Sequence, residues 1–527
     1  MRIQEEIFAK EKLIWLLSVG CCIVAMLALE YISFPWFDEI GTSDTAINLY
    51  NGNGWHSNVW PYSYNFLHLF CLRGWVRIFG VSHRAICSMN LIFAGLAIGI
   101  VALNLHKLKI FPLGSTIILV ALLWFSPDIS SNFANGRIDG LCFLLSAVIF
   151  FALWRVVFDD VCRMCHKGLI IFVSCLFLFL CAVYTIPLIV IFYGMALFFT
   201  IVFSSNRKVR VFECLKYGGL CAAAIILGLI ACAIYQFHHH QLFRYLNTYI
   251  SFNANLGGSV APLSDRVLGA YTMCMFSNFT YFLALCLAIL NRRIFHKKVF
   301  VLFLFVCLIP LFMVLAGRFA FYYRWIYAVP VVICFVYSLD WNNRRRYQVS
   351  QMLMLIVCFA VFACQWVDKV SLNCDRLVCR NRIETVLDSG LLGDIRGADV
   401  LLMSPMINKE GTEVAQIPCY YPLVRQGAKV DMVTLEEQAL IPPKEKFSAF
   451  IARYVHSSKV RSDILAVFDK YEHKQPLIPE RPLALVAYGA CPSEERLKTL
   501  LDPDMIFHQV CADEDLLLWV WLIEKRA

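Results

Sequence analysis

Residues 34–44 read FPWFDEIGTSD, and they place two carboxylates, Asp38 and Glu39, directly after a long apolar run that begins near Leu13. An apolar run of this length is typical of a helix that crosses a membrane, because about 17 to 25 residues span a hydrocarbon core of about 30 Å. The acid pair therefore stands at a predicted membrane surface, where ionisable side chains are costly and usually functional.

The composition of the whole chain also indicates a membrane protein. Of its 527 residues, 60% are hydrophobic and only 16% are charged, whereas soluble domains are roughly 45 to 50% apolar. Apolar runs of membrane-spanning length recur and predict a polytopic α-helical protein with about 11 transmembrane helices. These runs lie near residues 13–34, 85–106, 111–127, 139–157, 168–184, 187–204, 216–236, 267–290, 299–316, 320–339 and 349–367.

Basic residues predict the orientation of the spans, because Lys and Arg in short loops are retained in the cytoplasm. They are concentrated in alternate loops, for example at 207–210, 292–298 and 344–346. We therefore expect a multi-pass protein of an inner (plasma) membrane, with a cytoplasmic N-terminus and an extracytoplasmic first loop at 35–84. The net charge of +9 reflects this topology, and we do not interpret it as a sign of nucleic-acid binding.

The stretch DEIGTSDTAINLYNGNGW at residues 38–55 predicts a short helix at the outer membrane surface, ended by the glycine-rich sequence at 51–54. One acid in the first turn of a helix needs no functional explanation, since it stabilises the helix by roughly 0.3 to 1 kcal/mol. Two adjacent acids suggest a second role, and catalysis and capping are both open on these residues alone.

Two further outer sites carry charged side chains. Residues 126–145, SPDISSNFANGRIDGLCFLL, place Arg137 and Asp139 at the start of the predicted fourth span, and residues 316–330, AGRFAFYYRWIYAVP, place Arg324 inside an apolar run. Charged groups in such places usually face a cavity or a partner. Headgroup contact by Arg137 and stabilisation of a helix start by Asp139 are the structural alternatives. Together the sites predict an outward cavity that handles an anion.

Four stretches, in this order along the chain, resemble the GT-C glycosyltransferases of the protein mannosyltransferase and aminoarabinose transferase type. They are DEIGTSDTAINLYNGNGW, the loop PYSYNFLHLFCLRGWVRIFGVSHRAICSMN with its phrase FGVSHRA, GRIDGLCFLL, and FYYRWIYAVP. The resemblance covers residues 13–340 and implies a GT-C membrane domain. It departs from the aminoarabinose branch at 59–61, which read VWP where that branch has Glu-Lys-Pro, so the sugar stays open.

The resemblance implies an enzyme that takes a sugar from a polyprenyl-phosphate carrier and transfers it to an acceptor outside the cytoplasm. Such a transfer needs a base for the acceptor hydroxyl and cationic groups for the departing phosphate. We assign Asp38 as the base, where the resemblance places the family's acid, and Glu39 as a substitute base or an orienting neighbour. A single base acting opposite the leaving phosphate predicts one displacement with inversion.

The remaining assignments complete the predicted site. Asp139 either orients the acceptor or ligates a divalent metal ion, the one cofactor that these residues suggest. Arg137 and Arg324 are the predicted phosphate clamps, because a guanidinium binds phosphate bidentately. Tyr327 either adds a hydrogen bond to the phosphate or belongs to the aromatic belt at the membrane surface. The acceptor is a lipid, a protein or a glycan.

A polytopic lipid or glycan transporter or flippase is the alternative function, since it too would be a helical bundle with an outward cavity. The sequence shows no clear internal repeat, and its acids lie at the outer edge of the predicted spans, which favours the transferase. A non-catalytic scaffold of the cell envelope would leave the outer acids and arginines unexplained.

The chain is predicted to divide into a membrane domain at 1–367, with the catalytic first outer loop at 35–84, and an extracytoplasmic α/β domain at 368–527. The second part contains the strand-like stretches ADVLLMS, AKVDMVT, PLALVAYG and DLLLWVWL and the helix-like stretches DRLVCRNRIETVLDSG and KFSAFIARYVHSS. We expect this domain to handle the acceptor or to cover the cavity. The chain has 23 cysteines, and those in the membrane domain are interpreted mostly as small apolar packing residues.

Overall fold

The structure of the chain is a computed structural model. It describes residues 37–52, 66–107, 136–158, 207–238, 263–277, 279–290, 297–315, 325–338, 345–404, 417–434, 457–471, 482–493 and 504–525, together with a few single residues. The predicted spans at 13–34, 111–127, 168–184 and 187–204 lie outside the described residues.

Helices make up most of the first part of the chain. The elements there are α1 (Phe37–Asn51), α2 (Phe66–Phe79), α3 (His83–Lys107), α4 (Asp139–Phe158), α5 (Arg207–His238), α6 (Leu263–Ser277), α7 (Phe279–Leu290), α8 (Lys297–Leu315), α9 (Trp325–Ser338) and α10 (Arg345–Asp388). Helices α3 to α10 overlap the remaining predicted spans. Within the bundle, α3 packs on α4, and α9 packs on α4, α7 and α8.

One helix among the described residues is long and apolar enough to cross a membrane by length and composition, at His83–Asn104. Shorter apolar helical stretches lie at Asp139–Val148, Tyr281–Leu290 and Leu302–Leu311. A single helix of this kind also occurs in the cores of soluble proteins, so the number of spans remains a prediction from the sequence.

The phrase FGVSH at 79–83 joins α2 to α3 through a helix stop and a helix start. Gly80 has a φ of +80°, a conformation that glycine adopts without strain, and its N–H donates to Val76 O at 2.8 Å. Ser82 then accepts a hydrogen bond from the Ala85 N–H at 3.1 Å and so caps α3. The turn brings α2 back against α3, where Trp75 Nε1 donates to Ala85 O at 2.8 Å.

The longest described helix, α10, connects the bundle to the C-terminal part. Its 44 residues extend for about 66 Å at 1.5 Å per residue, more than twice the roughly 30 Å of a hydrocarbon core. The predicted boundary between residues 367 and 368 falls inside this helix. Ile383 and Leu387, near its end, are buried among C-terminal residues, so the connection is a continuous helix and not an irregular linker.

A five-stranded sheet forms the C-terminal part. Its elements are β1 (Asp399–Ser404), α11 (Tyr420–Arg425), β2 (Lys429–Thr434), α12 (Ser458–Tyr471), β3 (Ala484–Tyr488), β4 (Met505–Asp513) and β5 (Leu518–Lys525). The strand order is β2-β1-β3-β5-β4. Strand β1 runs parallel to both β2 and β3, while β5 is antiparallel to β3 and β4. The sequence predicted β1, β2, β3 and β5 and missed β4.

Alternation along the strands divides the sheet into two buried faces. Val400 and Leu402 of β1 point to one face, and Leu401 and Met403 point to the other, as the two-residue period of a strand requires. The second face packs on Leu497 and Leu501. Apolar side chains on both faces are typical of a sheet covered on both sides.

The first face of the sheet shares one hydrophobic core with the helices that follow the predicted first span. This shared core contains residues of α1, α2, the start of α3, α10, α11 and the sheet. Its members include Ile40, Ala46, Ile47, Leu69, Leu72, Val76, Ile86, Ile383, Leu387, Val400, Leu402, Tyr420, Tyr421, Leu423, Val424, Val430, Ala484, Val486, Leu518 and Val520. Helices α1 and α2 and the C-terminal sheet are therefore packed as one unit.

The shared core predicts different effects for two neighbouring residues of β1. Leu402→Ala and Met403→Ala should each cost about 2 to 5 kcal/mol of unfolding free energy, because both truncate completely buried side chains. Only Leu402→Ala removes a contact from the shared core, so this variant should speed hydrogen–deuterium exchange in α1 and α2 more than Met403→Ala does. Equal exchange in the two variants would show that the sheet does not support these helices.

Candidate functional site

Glu39 lies at the centre of the site. Its side chain is completely buried, and its carboxylate has partners from two distant parts of the chain. Oε1 is 2.6 Å from His83 Nδ1 and also accepts a hydrogen bond from the Tyr421 hydroxyl. A buried carboxylate is tolerated only where such partners replace water, so α1, α3 and α11 are held together at this point.

His83 and Cys87 approach Glu39 from the first turns of α3. The two residues are four apart in the helix and therefore lie on the same face. Cys87 Sγ is 3.5 Å from His83 Nδ1 and 3.7 Å from Glu39 Oε2. Both side chains are buried. The result is a compact cluster of one carboxylate, one imidazole and one thiol.

The start of α4 packs against this cluster through Gly136. A β-carbon added at Gly136 would lie 2.5 Å from Glu39 Cγ and 2.4 Å from Ile86 Cγ2, distances that real side chains do not adopt. Glycine is therefore required here for the close approach of the chain to Glu39. Glu39, the phrase FGVSH and the sequence GRIDG, which are separate in the sequence, meet at one place.

Arg137 and Asp139 follow Gly136 and are both buried. Arg137 Nε lies 3.2 Å from Asp139 Oδ2, so the two side chains form an ion pair at the start of α4. One residue further on, the Gly140 N–H donates to Asn90 Oδ1 at 2.5 Å and fixes α4 on α3. Arg137, the predicted phosphate clamp, and Asp139, the predicted acid, are therefore partners of each other.

A second contact joins α1 to α11 one turn and a half beyond Glu39. Asp44 accepts hydrogen bonds from the Tyr420 hydroxyl and from Asn48 Nδ2 at 3.2 Å. At the end of α1, Asn51 Nδ2 donates to Val424 O at 2.9 Å. Consecutive tyrosines of α11 thus bind two acids of α1, and α1 is attached to α11 along its length.

Burial determines the protonation of the two tyrosines. Desolvation raises the pKa of Tyr420 and of Tyr421 well above the ordinary value, and the nearby charges of Asp44 and Glu39 raise each pKa further. Both phenols therefore remain protonated at neutral pH. They act as hydrogen-bond donors to the carboxylates.

The other predicted site residues lie partly outside the described structure. Asp38 belongs to the first turn of α1 and Tyr327 belongs to α9, but their side chains lie outside the described residues. Arg324 lies outside them altogether. The structure brings Glu39 next to the chain segment that carries Arg137 and Asp139. The catalytic and phosphate-binding roles of all six residues remain predictions.

Four residues of the site were not predicted from the sequence, namely His83, Cys87, Tyr420 and Tyr421. His83 does lie inside the phrase FGVSHRA, so the resemblance placed it in a relevant stretch. Cys87 was interpreted with the other membrane-domain cysteines as a packing residue. Tyr420 and Tyr421 have no local signal, because their partners lie 376 and 382 residues away.

Comparison with known proteins shows a likeness to solved structures. No protein-family model matches the chain, and no curated protein matches it. Among solved structures, the chain is similar to the crystal structure of ArnT from Cupriavidus metallidurans bound to undecaprenyl phosphate, with a TM-score of 0.58 and 11% sequence identity. The match covers 96% of this chain and 97% of that chain. It shows that the two proteins share a fold over nearly their whole lengths, as the GT-C resemblance implied.

Replacement of Tyr421 by Phe should test the contact between α11 and Glu39. The variant keeps the ring but leaves a buried carboxylate without its phenol donor, which should lower the unfolding free energy by about 1 to 3 kcal/mol. Tyr50→Phe makes the same chemical change at an exposed position of α1 and should be neutral. Thermal unfolding in detergent measures both, and equal midpoints for the two variants would exclude a stabilising bond at Tyr421.

Proposed function

We propose that this chain is an integral membrane glycosyltransferase. It moves a sugar from a polyprenyl-phosphate carrier to an acceptor hydroxyl on the extracytoplasmic side of an inner membrane. The observation that carries the proposal is the meeting of the acid pair with the GRIDG segment around Glu39, in a chain with the fold of a protein solved with undecaprenyl phosphate. The transfer needs a carboxylate that takes the proton of the acceptor hydroxyl and an arginine that binds the departing phosphate, and the two must lie close together.

Asp38 is the base in this proposal. It precedes Glu39 in the first turn of α1, and the buried contacts of Glu39 fix the backbone of that turn. A base that takes a proton in the transition state must be held within hydrogen-bond reach of the acceptor hydroxyl. Anchoring the adjacent residue supplies this positioning.

Glu39 acts as the orienting neighbour and not as the substitute base. Its carboxylate is completely buried, and Oε1 has two partners in His83 and Tyr421. A group in this state has no route to an acceptor hydroxyl unless the shared core opens. The structure therefore favours one of the two roles that the sequence left open for Glu39.

Arg137 and Arg324 bind the phosphate in the proposed reaction, and Tyr327 adds a hydrogen bond. Asp139 holds the Arg137 guanidinium through Nε, and an oriented guanidinium stabilises charge on a departing phosphate better than a mobile one. Asp139 is then a positioning residue for the clamp. Attack by the acceptor opposite the phosphate gives inversion in a single displacement.

The reaction is tested by measuring release of free polyprenyl phosphate from a panel of polyprenyl-phosphate sugars with cell-envelope acceptors. Purified wild type is compared with Asp38→Asn and with Asp463→Asn, which changes an exposed acid of α12. Loss of a general base should slow release about 10²- to 10⁴-fold, while Asp463→Asn should retain the full rate.

Three results would overturn parts of the proposal. Equal release by wild type and a folded Asp38→Asn variant would remove Asp38 from the role of base. No release by the wild type, when a known transferase is active on the same panel, would favour the transporter alternative. Retention of the donor's anomeric configuration in the product would contradict the single displacement.

A further inference from the structure

The side chains of Glu39, His83 and Cys87 form a cluster of potential metal ligands, a property that the proposed transfer does not use. The three residues are buried, and one potential ligand atom from each lies within 4.8 Å of the others. We propose that this cluster is a binding site for a single zinc ion. The ligands are Glu39 Oε2, His83 Nδ1 and Cys87 Sγ.

The separations of the ligand atoms fit a tetrahedral ion. With Zn–S near 2.3 Å and Zn–N or Zn–O near 2.0 to 2.2 Å, tetrahedral angles place the sulfur about 3.5 Å from each of the other ligand atoms. Cys87 Sγ lies 3.5 Å from His83 Nδ1 and 3.7 Å from Glu39 Oε2. These two distances therefore need little adjustment.

The positions of the three ligands on two helices also favour metal binding. His83 and Cys87 lie one turn apart on α3, so a single rigid helix presents two ligands on one face. Glu39 comes from a second helix, α1, which the shared core packs beside it. Three protein ligands leave one tetrahedral position for a water molecule.

Zinc binding displaces protons from the ligand atoms. The hydrogen bond of 2.6 Å between His83 Nδ1 and Glu39 Oε1 gives way to a bond from Nδ1 to zinc, after a small rotation of the imidazole ring. The bound imidazole is neutral and carries its one proton on Nε2, so that the Nδ1 lone pair binds the ion. The Cys87 thiol binds as the thiolate, so its proton is released. The two negative ligands, a carboxylate and a thiolate, balance the charge of a divalent cation in a buried place.

Tyr421 then becomes an outer partner of the site. Its hydroxyl donates to Glu39 Oε1, the oxygen that does not bind the ion, and so fixes the plane of the carboxylate. Hydrogen bonds of this kind orient metal-binding carboxylates, and losing one typically weakens affinity about 10- to 100-fold.

The ligand set selects the class of ion. A thiolate and an imidazole favour zinc and similar transition metals, whereas Mg²⁺ and Ca²⁺ take oxygen ligands. The site is distinct from the divalent-metal site suggested by the sequence at Asp139, whose Oδ2 forms an ion pair with Arg137. It does not depend on the proposed transfer reaction.

Metal content and cobalt absorption test the proposal in the purified full-length protein. After dialysis against trace zinc, mass spectrometry should find one equivalent of zinc. Replacement by Co²⁺ should give the near-ultraviolet absorption of a cobalt–thiolate bond. Cys87→Ala should lose this absorption, and Cys71→Ala, a half-buried cysteine of α2 outside the cluster, should retain it. Tyr421→Phe should weaken zinc binding about 10- to 100-fold.

Thermal unfolding of the wild type makes the test independent of variant folding. Zinc should raise the unfolding midpoint of the metal-free protein, and a chelator should reverse the rise, because an ion that binds only the folded state stabilises it. Absence of zinc and of cobalt–thiolate absorption in the folded wild type would overturn the proposal. So would an unchanged cobalt spectrum in Cys87→Ala, or an unfolding midpoint that does not depend on zinc.

Discussion

The buried carboxylate of Glu39 is the constraint on which the arrangement of the site depends. A carboxylate completely removed from water is tolerated only if donors replace the lost hydration. Its donors come from the start of α3 and from α11, while the chain before α4 can approach it only as glycine. Removing any one of these partners leaves a costly buried group. The requirement to satisfy Glu39 therefore brings together segments of the chain that are far apart in sequence.

The shared core gives the C-terminal sheet a direct role in this arrangement. One face of the sheet shares its hydrophobic core with α1 and α2, and Tyr420 and Tyr421 bind two acids of α1. Helix α10 continues from the bundle into the same core. The sheet thus supports the acid-bearing helix from outside the bundle. In the proposed transferase this support holds Asp38 in place, while the ion pair of Arg137 and Asp139 orients the phosphate clamp.

The sequence predicted most of the helices and four strands, because long apolar runs and two-residue alternation are local properties. It also predicted that the acid pair and GRIDG lie at one membrane surface, which stays a prediction, and the structure brings Gly136 of GRIDG next to Glu39. Strand β4 was missed because its sequence, MIFHQVCAD, mixes polar and apolar residues without a clear period. The helix-like stretch DRLVCRNRIETVLDSG belongs to the end of α10. Its continuity with the predicted span at 349–367 was missed because the apolar character ends at 367 while the helix does not. The contacts of Tyr421 and the burial of Glu39 depend on tertiary packing, which no local pattern encodes.

The most direct test of this account is a double-mutant cycle between Glu39→Gln and Tyr421→Phe, with polyprenyl phosphate release as the measured rate. If Tyr421 acts on the acid helix through Glu39, the two substitutions should be non-additive, with an interaction free energy of about 0.5 to 3 kcal/mol. The double variant should then be little worse than the more damaged single variant. Effects that add to within about 0.3 to 0.5 kcal/mol would contradict the account, because they would show that the C-terminal tyrosine and the buried acid act independently.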